Sequence, residues 1–495
     1  MKNSMKNAVY SGIGFVFPIL IALFTTPYIV HKLGTELYGI YVLCISMIGF
    51  MSFFDLGFGT GIVKFVSQYE AKGDFDKINK IISTALIVNI FMGFFGVVCI
   101  FLFTDYLAVH LFKVKIENQY ITEVAFKITA IGFLIVLLNG IFSNIPKALQ
   151  KYDVATKIQT SIWVASTLST VLILYFGFGL KEVLLLWVFF QVSGLFAYYA
   201  SIKFLLPSLS INFNFNLVIF KEIFEFSMFA AMNGITGNIV FRVDKMIVGS
   251  ILGTSFITYY QVSFMIVQMA NGFIGSLLQF LFPSVSYIQS LGDEERLKNM
   301  YMTATKYATI LALVIFTSLT LLGESFLTLW MGKDFAEKSI NFIPILSFIY
   351  VFHSIASVGI SFYNGLGYSK INMLSSFIGA VSYLITSFLL IKTFGLIGAA
   401  ISFGFTLVSF PYFFYKLIKV LNISFKWLIK LLLKVSIIIL FVWAIKYLVS
   451  FKTVNSYEFI LYVLISSGFI ICSAYMLKLF ALADIKYFLK KLKMI

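Results

Sequence analysis

Runs of about twenty apolar residues, separated by short polar stretches, recur from one end of the chain to the other, each long enough for one helix to cross a hydrocarbon layer. They predict spans near 8–30, 38–63, 81–104, 121–145, 156–178, 183–204, 228–251, 257–284, 303–323, 340–362, 371–392, 396–418, 431–450 and 457–479. No polar stretch exceeds roughly twenty residues, which leaves no room for a separate soluble domain. The first run follows Lys2 and Lys6 as a secretory signal would, but it is too long and no small-residue cleavage site follows, so it reads as a retained first span. The pattern predicts an all-α integral membrane protein of about 14 transmembrane helices.

The loops fix the orientation. Lys64, Lys72, Lys77, Lys80, Lys147, Lys151, Lys157 and Arg296 share one set of alternate loops with both termini, whereas the other set is much smaller and includes Lys32, Lys113, Lys181, Lys338 and Lys452. By the positive-inside rule the richer set and both termini are cytoplasmic. Composition agrees, since a soluble chain that is 60% apolar and 12% charged would lack the polar atoms to cover its surface. The net charge of +16 is spread over short loops without a continuous stripe, so nucleic acid is not an expected partner. Cys44, Cys99 and Cys472 lie in apolar runs without metal-ligand spacing, so neither a disulfide nor zinc is implied. Nothing resembles an ATP-binding loop, a metal cluster or a nucleophile with its base. No cofactor, metal or enzymatic activity is expected, and the energy for any transport must come from an ion gradient, the membrane potential or the substrate gradient.

The chain also repeats itself at an offset of about 219 residues: Leu33-Gly34-Thr35 recurs as Leu252-Gly253-Thr254, Val66-Ser67 as Val285-Ser286, and Gly73-Asp74 as Gly292-Asp293. Six spans separate the copies, so both cross the membrane in the same direction, as in transporters built from parallel repeats with the substrate site between the halves. The expected organisation is a six-helix lobe over 1–206, an interfacial cytoplasmic linker over 207–226, a second six-helix lobe over 227–422, and an appended helix pair with a basic tail over 423–495. The linker carries Leu217, Phe220, Ile223 and Phe224 at helical spacing, and the basic flanks of the last pair suit anionic lipid headgroups.

Ionisable residues inside a span are costly, and so are the first candidates for function. Asp55, followed by Gly57, Gly59 and Gly61, reads either as a cation- or proton-binding carboxylate, or orienter of Lys64, or as a structural carboxylate at a helix break. In span seven Arg242 and Lys245 are three apart and able to face one way, with Asp244 on a different azimuth. Two cations on one face suit a diphosphate, and Arg242, one of only two arginines, offers a planar fork for phosphate oxygens. A local ion network holding span seven to a neighbour is the alternative. Lys127 either lines a cavity or snorkels outward, and His353 either titrates during transport or packs as a neutral, hydrogen-bonded side chain. Asn139, Asn233, Asn238, Gln261, Gln268 and Asn271 suit sugar hydroxyls or bonds between helices, and Pro18, Pro27, Pro283, Pro344 and Pro411 permit kinks within spans.

Over essentially its whole length the chain resembles the polysaccharide flippases of the multidrug/oligosaccharidyl-lipid/polysaccharide exporter superfamily. The resemblance is carried by Leu33-Gly34-Thr35-Glu36-Leu37-Tyr38-Gly39, Phe54-Asp55-Leu56-Gly57, Lys147-Ala148-Leu149-Gln150-Lys151-Tyr152 and Asp244-Lys245-Met246-Ile247-Val248-Gly249, in that order. It implies two six-helix lobes around a central cavity, alternating access, and an undecaprenyl-diphosphate-linked oligosaccharide turned from the inner to the outer leaflet of a bacterial cytoplasmic membrane. Glycan polymerases or glycosyltransferases would be candidate partners, beside the membrane lipids. It also implies that Arg242 and Lys245 line the cavity and that Asp55 and Asp244 are coupling or structural carboxylates; Lys64 and Lys127 join the candidate cavity residues from their places in spans two and four alone. The first span has no internal basic residue, which counts against the lipid II flippase branch. A drug/cation antiporter of the same superfamily would prefer an acidic cavity. A glycan polymerase or ligase would carry a longer outer loop.

Overall fold

The computed structural model describes residues 2–51, 55, 57–207, 209–210, 214–238, 242–448, 458 and 462–468, with 2–17 and 228–238 as backbone only. Among them there is no strand. The helices are α1 (Lys2–Met51), α2 (Phe58–Glu70), α3 (Phe75–Asp105), α4 (Ile116–Ala148), α5 (Tyr152–Tyr175), α6 (Leu180–Leu205), α7 (Leu217–Asn238), α8 (Asp244–Leu252), α9 (Thr254–Leu278), α10 (Leu281–Ser290), α11 (Glu294–Met331), α12 (Lys333–Ser339), α13 (Phe342–Gly365), α14 (Ser369–Gly404), α15 (Phe410–Leu421) and α16 (Phe425–Leu448). Among the described residues ten helical stretches are long and apolar enough to cross a membrane, and the longest, Ser369–Leu421, holds two of the predicted spans. Spans one and two meet within α1 at Gly34 (φ 79°, ψ 163°), and spans eleven and twelve within α14 at Gly395. A side chain at Gly34 would be strained in that backbone region, so the turn needs glycine. The predicted spans two, seven and eight are each made of two pieces, ending in α2, α8 and α10.

The repeat is visible in backbone geometry. Gly253 (φ 100°, ψ 166°) copies Gly34, and Gly292 (φ 69°) copies Gly73 (φ 68°). Asp74 caps α3 by accepting from the Lys77 amide, and Asp293 caps α11 by accepting from the Arg296 amide. Ser67 Oγ donates to the Ala148 carbonyl at 2.6 Å, as Ser286 Oγ does to that of Gly365 at 2.8 Å. Each feature recurs within two residues of the same offset.

By contacts the chain forms two compact units, an amino-terminal one of Thr25–Thr258 and a carboxy-terminal one of Met1–Phe24 with Tyr259–Ile495. These borders follow packing, whereas the expected lobes follow repetition; in packing terms span seven belongs with spans two to six. Within the amino-terminal unit, Ile62, Phe65 and Val66 of α2, Ile78 and Ile82 of α3, Ile145 of α4 and Ile223 of α7 make one buried cluster. Residues 217–226, assigned to the linker in sequence, are thus the opening turns of α7, capped by Asn216, whose Oδ1 accepts from the amides of Val218 and Ile219. Small residues permit close approach where lipid offers no hydrophobic driving force: a Cβ on Gly132 would meet Trp187 at 2.3 Å, and one on Gly359 would meet Phe413 at 2.8 Å. Of the prolines expected to hinge spans, Pro283, Pro344 and Pro411 lie in the first turns of α10, α13 and α15, where a missing amide costs no helical bond. Pro18 and Pro27 are different, because both lie inside α1.

Candidate functional site

The charged cluster of span seven lies at the start of α8, after a π-helical turn at Arg242 and Val243. Lys245 Nζ donates to both carboxylate oxygens of Asp244, at 2.9 and 2.8 Å, and both side chains are buried. Neighbouring residues of a helix leave it on different azimuths, and the long lysine side chain is what lets its ammonium reach back to the Asp244 carboxylate. A bare charge at that depth would be expensive, so mutual neutralisation is what makes both tolerable.

Arg242 is close enough to Lys245 for their charges to act on each other, which brings the two expected cations together. Its side chain lies over Gly49 of α1, where a Cβ would come 2.6 Å from Nε and 2.7 Å from Cδ. The group of three carries one net positive charge, and the chemistry it permits is electrostatic: a planar donor fork held in a membrane-spanning segment beside a neutralised pair.

Asp55 stands between α1 and α2, where Gly57 takes a left-handed conformation (φ 73°). Its Oδ1 accepts from Asn89 Nδ2 at 3.2 Å, and Asn89 also donates to the Leu137 carbonyl. A Cβ on Gly59 would lie 2.5 Å from Asn144 Nδ2 and 3.8 Å from Asp55 Oδ2, so the glycine brings α4 against this corner. Asn144 in turn accepts from Lys147 Nζ at 3.2 Å. Asp55 and Lys64 are not brought together among the described contacts. Lys64 is exposed and stands 3.7 Å above the Phe226 ring of α7. Lys127 pairs with Glu123 one turn earlier at 3.7 Å and is 42% exposed, as a snorkelling lysine would be.

His353 lies in the carboxy-terminal unit, with Nε2 2.8 Å from Thr406 Oγ1 and its ring against Tyr350, Phe403 and Phe410. These are the contacts of a packing histidine. Asn139 donates to Gln191 of α6, and Asn271 accepts from Ser354 of α13, so both join helices. The side chains of Asn233 and Asn238, and Cys472, lie outside the described residues. The sequence reading missed Asn89 and Gly49 as neighbours of the candidate charges Asp55 and Arg242, because residues so distant in the chain show no spacing signal. It also missed Glu324 of α11, whose charge acts on Lys446 of α16. No group of His, Cys, Asp and Glu able to hold a metal occurs among the described residues.

Comparison with known proteins places this geometry. The chain is 24% identical over 408 residues to a candidate O-antigen transporter of Shigella flexneri, covering 82% of this chain and 95% of that one. Its fold matches the lipid II flippase MurJ in an inward closed conformation, with a TM-score of 0.75 at 15% identity over 95% of this chain and 99% of the other. It also matches an inward-facing multidrug resistance MATE family transporter of the MOP superfamily, with a TM-score of 0.69 at 14% identity over 81% and 95%. The chain is a multi-span membrane protein with the fold of these transporters. The family described as polysaccharide biosynthesis protein matches residues 33–340, more than half of the length, and the chain belongs to that family.

Proposed function

We propose that the protein is a flippase that turns an undecaprenyl-diphosphate-linked oligosaccharide repeat unit from the cytoplasmic to the outer leaflet of a bacterial cytoplasmic membrane, by alternating access. The observation that carries this reading is Arg242: a guanidinium kept inside the membrane, next to a lysine whose charge Asp244 already balances. An anionic headgroup gains most from a cation that no carboxylate pairs with among the described residues, and a fork binds two phosphate oxygens at once. Arg242 is therefore the diphosphate contact, and Lys245 with Asp244 sets the local field. The prenyl chain stays in lipid, so only the headgroup crosses. The polysaccharide family and the O-antigen relative support this cargo class.

In this reading Lys64, exposed midway along α2, meets the headgroup before entry, and Asp55 with its amide partner Asn89 is the coupling carboxylate. Both termini are cytoplasmic, as the lysine distribution requires. A second reading, a lipid II flippase, is favoured by the match to MurJ over nearly the whole of both chains. Against it stand Leu23, Thr25 and Thr26, the uncharged repeat counterparts of Arg242, Asp244 and Lys245 in the first span. Replacing Arg242 with glutamine is expected to abolish polymer export while membrane insertion stays normal; undiminished export would remove Arg242 from the mechanism.

A further inference from the structure

The first span is shared between the two compact units, because the chain leaves the carboxy-terminal unit at Phe24 and enters the amino-terminal one at Thr25. Pro27 follows within one turn. A proline inside a helix has no N–H to give to the carbonyl four residues earlier, which here is that of Leu23. A carbonyl left without a partner in a membrane is costly. Another helix supplies the donor: Trp330, at the end of α11, donates Nε1–H to the Leu23 carbonyl at 2.5 Å, and its ring stacks on Phe326 one turn earlier, with centroids 5.3 Å apart. Tryptophan at a span end commonly turns its N–H to the lipid headgroups. This one is turned to a helix backbone, within the unit that α11 and the first half of α1 share.

We propose that Trp330 is a positioning residue for transport: its indole N–H holds the carbonyl orphaned by Pro27, and so keeps residues 18–24 of the first span with the carboxy-terminal unit until that bond breaks. The bond is suited to a switch because a side chain makes it. Losing it frees a half-helix without unwinding a backbone ladder, and Pro27 ensures that the helix itself cannot supply a substitute. The consequence for transport rests on the flippase reading; the bond's hold on the half-helix does not.

Amide hydrogen exchange across residues 18–30, in nanodiscs without any cargo, tests this directly. Trp330→Phe keeps the ring stack and removes the donor, and is expected to speed exchange by about five- to tenfold, the worth of one buried hydrogen bond. In a Pro27→Ala background, where residue 27 regains its N–H and bonds Leu23 itself, the same change is expected to alter exchange less than about twofold, since the donor is then redundant. Equal acceleration in both backgrounds would assign Trp330 to packing alone and overturn the proposal, as would unchanged exchange in Trp330→Phe. Should Pro27→Ala fail to insert, the comparison of Trp330→Phe with wild type decides by itself. Glycolipid translocation by the same variants is measured separately; loss of the exchange effect sinks the positioning role, whereas an exchange effect with no glycolipid movement in wild type sinks the flippase reading.

Discussion

The two copies of the repeat share their corners and differ in their charges. At the corners Gly34 and Gly253, Gly73 and Gly292, and Ser67 and Ser286 hold matching backbone and hydrogen-bond geometry. Inside the spans the match ends: Arg242, Asp244 and Lys245 stand where the first copy has Leu23, Thr25 and Thr26, and Asp55 and Gly57 stand where the second has Ile274 and Ser276. Corners are kept by demands that few residues satisfy, a positive φ or an amide needing a cap. Span interiors need only be apolar, so any charge found there needs its own reason, and all of these charges lie in the amino-terminal packing unit. The repeat supplies a scaffold, and its broken symmetry marks the candidate site.

The largest effect should come where the symmetry is broken. Lys245→Met leaves the Asp244 carboxylate buried without its cation and is expected to cost about 3–5 kcal/mol, while Thr26→Met at the matching position of the first span should cost far less. Thermal unfolding in detergent compares the two directly; equal losses would mean that the buried pair is not what holds α8. Next come the shared corners, where Gly34→Ala and Gly253→Ala should each cost roughly 1–3 kcal/mol and, more tellingly, similar amounts. A large loss at one and none at the other would break the equivalence of the copies. Ser67→Ala and Ser286→Ala should follow with about 0.5–1.5 kcal/mol apiece, one hydrogen bond to a helix-end carbonyl in each case.

The smallest effect belongs to a pair with one solvent-exposed partner and no counterpart in the second copy. Lys115 meets Glu36 at 2.9 Å outside the spans, and the hydrogen bond and charge of Glu36 hold its ammonium above the usual lysine range. Whatever that pair adds is present throughout the pH range below the ordinary lysine value, and is lost only as pH rises through the raised one. Because the Lys115 ammonium is open to solvent, that contribution is small, and Lys115→Ala should shift unfolding little at neutral pH. A loss as large as that of Lys245→Met would remove the distinction between buried and exposed charge.

Much of the fold was legible because lipid imposes a length on every span and glycine or an Asp cap on each tight corner; that is why the predicted spans and the repeat register reappear at Gly34, Gly253, Asp74 and Asp293. The packing units were not legible, since periodicity says which face is apolar and not which helix it meets. The candidate charges were legible as residues, but spacing alone does not say which of them pair: Asp244 and Lys245 meet directly. Lys64 was read against Asp55, nine residues away, and meets Phe226 instead, through a contact that needs the tertiary fold.

The central claim is that Arg242 receives the anionic headgroup. Its most direct test is translocation of a fluorescent undecaprenyl-diphosphate oligosaccharide in proteoliposomes carrying wild type, Arg242→Gln or Arg242→Lys, with Gly49→Ala as a variant that crowds Arg242 without removing it. The expected order is wild type first, Arg242→Lys and Gly49→Ala reduced, and Arg242→Gln at the rate of empty vesicles. Translocation by Arg242→Gln at the wild-type rate would contradict the claim.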